Sequence, residues 1–148
     1  MSWREVLLTR LAARIGAIFY VIWGIVHLVS SYYVALLGQK ISPAAVVQGR
    51  VFQDAWVLLF GGIVAIIIAV TMNWRNSKTG FWINLVMVSL IDIAFILFIM
   101  VPGYVPLWPG LEGPIAWVVA GVSTAVGVFG TQNRSLGSSD ILISQKSI

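Results

Sequence analysis

The sequence predicts an all-α fold: a polytopic membrane protein built as a four-transmembrane-helix bundle, with N- and C-termini cytoplasmic. Three observations carry that expectation. Hydrophobic residues make up 59% of the 148 and charged residues 9%, against about 25% charged in soluble domains. With a mean hydropathy of +0.97, this inventory cannot build a soluble surface. Four apolar segments follow one another between polar or Pro/Gly-rich breaks, and seven of the nine basic residues fall on one side of them.

A helix crosses ~30 Å of hydrocarbon with about 20 residues at ~1.5 Å each. The spans are expected at about 15–37, 51–72, 81–101 and 115–131, the last one short. Residues 1–14 combine Trp3, Val6, Leu7, Leu8 and Leu11 with three arginines, as in a helix lying in the interface before the chain turns inward. Ser42-Pro43 is a hydroxyl N-cap followed by proline at a first helical position. Asn73 to Gly80 is a polar turn. The 102–114 loop carries Pro102, Gly103, Pro106, Pro109, Gly110, Gly113 and Pro114, which forbid a regular helix. Its Tyr104, Leu107, Trp108 and Leu111 suggest a lid packed on the outer surface. Residues 1–131 thus form a single domain, and 132–148 read as a flexible polar tail.

Orientation follows from charge. Arg4, Arg10, Arg14, Arg75, Lys78, Arg134 and Lys146 fall on one side, Lys40 and Arg50 on the other, which predicts that both termini face the cytoplasm. The net charge of +4 is therefore a topology signal, with attraction to anionic lipid as a by-product, and no nucleic-acid partner is expected. A bacterial inner (plasma) membrane is the expected location. Period-2 alternation is absent, which excludes a membrane β-barrel. The first apolar stretch exceeds a signal-peptide core and no A-x-A site follows it, so it is expected to stay in the mature protein.

Each polar group within a span needs a partner or a task. His27 lies about 18 Å from Ile15 and Asp92 about 17 Å from Phe81 along their helices, at matching depth. A His27–Asp92 hydrogen bond is the simplest arrangement that satisfies both. Gly16, Tyr20, Trp23, Gly24, His27 and Ser30 or Ser31 share one face of the first helix. Small-residue faces run through Leu58, Gly61, Gly62, Ala65 and Ala69 in the second span. In the fourth they run through Trp117, Ala120, Gly121, Thr124, Gly127 and Thr131. Such faces let backbones approach closely.

Two readings of the pair compete: glue between helices, or an acid/base pair lining an outward-opening pocket. In the second, Tyr20, Trp23, Gly24 and Ser31 form the wall, and Gln53, Asp54, Tyr104, Trp108 and Glu112 the mouth. Such a pocket suits a hydrophobic ligand (lipid, quinone or isoprenoid), and the protein is expected to bind one or to serve as a subunit of a membrane assembly. The alternatives are an intramembrane acid–base enzyme, isomerase or hydrolase-like, with His27 and Asp92 as catalytic residues, and a proton-coupled transporter working as a homodimer. The bilayer, a hydrophobic small molecule and a homo-oligomer or membrane-complex partner are the expected partners. Arg50 and Asp54 form an i,i+4 pair, and Glu112 is a second candidate partner for Arg50.

Other chemistries lack their residues. With no cysteine there is no thiol nucleophile, cysteine zinc site or iron–sulfur cluster. No lysine lies within a span to hold retinal, a second haem histidine is missing, and no Gly-rich phosphate loop precedes a helix. Small multidrug exporters of this size carry their coupling carboxylate in the first helix, whereas here it is in the third. The Gly-x-x-His-Leu stretch from Gly24 to Leu28, within a four-helix unit, is loosely similar to DoxX-like membrane proteins. That likeness covers five residues and implies no activity.

Overall fold

From Trp3 to Ile15 the chain contains neither glycine nor proline, so nothing in it bends a helix between interface and hydrocarbon. The computed structural model, which describes residues 3–43 and 46–145 with side chains through residue 130, accordingly has one continuous helix α1, Trp3–Gln39. The separate interfacial helix expected over 1–14 is instead the first turns of α1. Thr9 stays within it by donating to the Glu5 and Val6 carbonyls, both at 3.2 Å. At ~1.5 Å per residue α1 is about 55 Å long, more than a bilayer core requires.

Helix α2, Val46–Thr71, runs back along α1. A 3₁₀ turn, Asn73–Arg75, ends at Asn76 in the left-handed region, φ 57°. Asn76 donates from its side chain to the Gly127 carbonyl at 2.9 Å, tying this turn to the last helix. Helix α3, Lys78–Phe95, is capped by Ser77, whose hydroxyl accepts from the Gly80 amide. It continues as a π-helical turn, Ile96–Met100. After a short turn, Leu107–Gly110, helix α4 covers Glu112–Gln145. Pro114 falls in its first turn, where no intrahelical N–H is needed. The backbone of the polar tail is helical through Gln145; residues 146–148 lie outside the described residues.

Among the described residues, four helices are long and apolar enough to cross a membrane: Trp3–Gln39, Val46–Arg75, Lys78–Met100 and Glu112–Gly130. The chain is a multi-pass membrane protein by length and composition, all-helical among the described residues. Helix α1 packs against α2 and α4, and α3 against the same two, so α1 and α3 stand on a diagonal. The core joins Ala17, Tyr20 and Trp23 of α1, Ala65 and Ala69 of α2, Val88 of α3, and Ala116 and Ala120 of α4.

The small-residue faces are the seams. A Cβ on Gly24 would lie 2.8 Å from the Gly62 carbonyl oxygen, and one on Gly16 would lie 2.9 Å from that of Ala120. Real Cβ atoms do not come so close, so α1 meets α2 and α4 through glycine.

Candidate functional site

The diagonal between α1 and α3 is spanned by side chains. Trp23 donates from Nε1 to Oδ2 of Asp92 at 2.9 Å. His27, one turn further along α1, stacks on the Trp23 ring with centroids 3.6 Å apart and planes 24° from parallel. Its Nδ1 lies 2.9 Å from the Trp23 carbonyl, which can only accept, so Nδ1 carries the proton. Nε2 then faces Oδ1 of Asp92 at 3.6 Å. That is ion-pair range but longer than a hydrogen bond, so the direct His27–Asp92 hydrogen bond is replaced by the indole of Trp23. The aspartate follows the longer reach of the tryptophan, whose N–H crosses the diagonal where the imidazole stops short.

Oδ1 of Asp92 is buried and has no hydrogen-bond partner among the described residues. With a neutral imidazole, Nε2 and Oδ1 are two acceptors pointing at one another. A proton or a donor group shared between them would satisfy both.

Gly113, in the first turn of α4, covers the cluster. A Cβ there would sit 3.2 Å from Cε1 of His27, 3.6 Å from Oδ1 of Asp92 and 3.9 Å from Nε1 of Trp23. The three side chains are closed off: Trp23 and Asp92 are fully buried and His27 is 7% exposed. Because α4 starts at this level while α1 continues to Gln39, the cluster lies at the N-terminal end of α4.

The remaining expected site residues divide into two groups. Tyr20 is buried one turn from Trp23 and belongs to the core. Gly24 faces α2 rather than a cavity. Ser31 donates to the Ala55 carbonyl at 2.7 Å and so pins α1 to α2. The expected mouth does not converge on the cluster. Tyr104 and Trp108 are 76% and 67% exposed, so the loop is not a lid packed through its aromatic rings. Two of its backbone amides are instead satisfied locally, Tyr104 donating to Ile99 at the end of α3 and Leu111 to Leu107. Gln53 and Asp54 are exposed and Glu112 is half-buried. Arg50 donates to Oε1 of Gln53 at 2.9 Å, and among the described residues it forms no salt bridge with Asp54 or Glu112. Polar side chains in water take the nearest good geometry, and here that is three residues along the helix.

Gly113 is the component that the sequence does not announce. In a run of glycines and prolines it reads as a helix breaker, and only the fold shows which glycine lies against the carboxylate. Asn84 is also fully buried, donating to the Ala65 carbonyl at 3.2 Å.

No family model matches the chain, and neither the curated proteins nor the solved structures searched include a match.

Proposed function

We propose that the protein binds the polar end of a hydrophobic molecule, of the lipid, quinone or isoprenoid class, at the Trp23–His27–Asp92 cluster. The observation that carries this reading is the unpartnered Oδ1 of Asp92, buried opposite Nε2 of His27. Buried carboxylate oxygens take donors, and one left without a donor inside a membrane bundle is costly. A ligand hydroxyl or N–H beside both atoms satisfies the oxygen, while the apolar body extends into the outer half of the bilayer. Entry requires the first turn of α4 to shift, because Gly113 covers the cluster. A bacterial inner membrane, with cytoplasmic termini, is the proposed setting. The basic residues support this orientation, although the side chains of Arg134 and Lys146 lie outside the described residues.

The facing of His27 Nε2 and Asp92 Oδ1 favours a second reading, an intramembrane acid–base enzyme using His27 and Asp92. Mass spectrometry of compounds that co-purify in mild detergent tests both. A discrete apolar compound is expected with the wild type. It should be absent from Gly113→Val, which fills the space while keeping every polar group, and from the His27→Ala, Asp92→Asn double variant. Equal content in all three folded proteins, or no compound in any, overturns the binding reading. Turnover of the captured compound, lost in Asp92→Asn while binding persists, would select the enzyme.

A further inference from the structure

At the opposite end of the bundle, α1 and the turn after α2 enclose a cleft of about 240 Å³, lined by Arg10, Arg14, Trp74 and Arg75. Arg10 and Arg14 are one helical turn apart, a spacing at which like charges repel. Arg75 adds a third guanidinium from the 3₁₀ turn. Among the described residues no carboxylate lines the cleft, and none of the three arginines is in a salt bridge. The guanidinium of Arg14 lies over the Trp74 ring, 5.4 Å from its centroid. Stacking of this kind fixes the plane and leaves the N–H edge free. Arg10 and Arg14 also border an open face of α1 on which Leu7, Leu8 and Leu11 are more than half exposed, beside Arg4.

We infer that this cleft is a binding site for the phosphate of an anionic phospholipid. The three guanidiniums hold the phosphate oxygens, and the start of an acyl chain lies along the exposed leucine face of α1. Planar guanidinium forks match phosphate oxygens in pairs, and an anion among three unpaired cations removes their mutual repulsion. A free phosphate offers the same oxygens, but it leaves the exposed leucine face uncovered. Depth agrees with a headgroup: Trp3 and Trp74 lie at this end of the bundle, where indoles sit at the membrane interface.

The test is native mass spectrometry of the full-length protein, released from detergent with equal amounts of phosphatidylglycerol and phosphatidylcholine of identical chains. Wild type is expected to retain phosphatidylglycerol preferentially. Arg10→Gln, Arg14→Gln and Arg75→Gln should each lower that preference about fivefold, while Arg50→Gln, at the other end of the bundle, leaves it unchanged. Arg75→Lys keeps the charge but loses the paired geometry, and should fall between wild type and Arg75→Gln. Equal retention of the two lipids by wild type overturns the proposal without reference to any variant. So does an unchanged preference in folded Arg→Gln proteins, or a loss of preference in Arg50→Gln. Displacement of the lipid by millimolar inorganic phosphate would make it a soluble-anion site and overturn the lipid assignment.

Discussion

Helices α1 and α3 are held in the bundle by different means. Helix α1 presses its backbone against both neighbours through Gly16 and Gly24, and its buried stripe runs from Thr9 to Ser31. In the most apolar stretch of α3 only 17% of the residues are buried, against 44% for α4. Yet α3 carries two of the fully buried polar side chains, Asn84 and Asp92. Three hydrogen bonds fasten it: Asn84 to the Ala65 carbonyl, Trp23 to Asp92, and Trp117 to Ser89. Its other face, with Val86, Leu90, Ile93, Leu97 and Phe98, is exposed. Close packing thus assembles α1 with its neighbours, whereas α3 is pinned. Lipid competes for dispersion contacts as well as protein does, but it cannot supply donors and acceptors in its hydrocarbon.

The largest effect is expected at a glycine seam. Gly24→Leu forces a side chain against the Gly62 carbonyl and should lower stability by about 3 kcal/mol or more, read as a loss of thermal stability in detergent. A melt like that of wild type would mean that the α1–α2 seam is not close-packed. Next comes the diagonal. Asp92→Leu leaves the Trp23 N–H buried without an acceptor and should cost about 1–2 kcal/mol. Joint Trp23→Phe and Asp92→Leu removes both ends of the bond and should recover most of that loss. A double-mutant cycle measured by denaturant unfolding checks it, and additive losses would show that no bond couples the two helices. The smallest effect belongs to Ser89→Ala, which frees the Trp117 N–H at a part-buried site and should cost about 0.6 kcal/mol by the same unfolding assay. A larger loss there than at Asp92 would reverse the order of the pins.

The seams were legible in the sequence because glycines and alanines three and four residues apart can lie only on one face of a helix. Gly16 and Gly24, and Gly62, Ala65 and Ala69, are buried along those faces. His27 and Asp92 were legible as a pair because hydrocarbon singles out ionisable groups. The bond between Trp23 and Asp92 was not, since periodicity assigns a residue to a face but not to a partner on a diagonal helix. A tryptophan with apolar rings and one N–H serves equally as wall or donor. The continuity of α1 was hidden for a related reason. Arginines and leucines over residues 1–14 describe an affinity for the interface, and a helix satisfies that affinity either lying flat or passing through.

The bond across the diagonal also has a direction in time. Trp23 precedes Asp92 by 69 residues, so during synthesis the indole reaches the membrane with its N–H still unmet. The contacts of the α1–α2 hairpin, through Gly24, Gly62 and the Ser31 hydroxyl, need nothing from α3 and so can form before it is made. When α3 follows, its carboxylate and amide meet a surface on which the Trp23 donor and the Ala65 carbonyl are already displayed. A carboxylate within a span is costly to insert unpartnered. The waiting partners make the hairpin a template that lowers this cost for the helix synthesised after it.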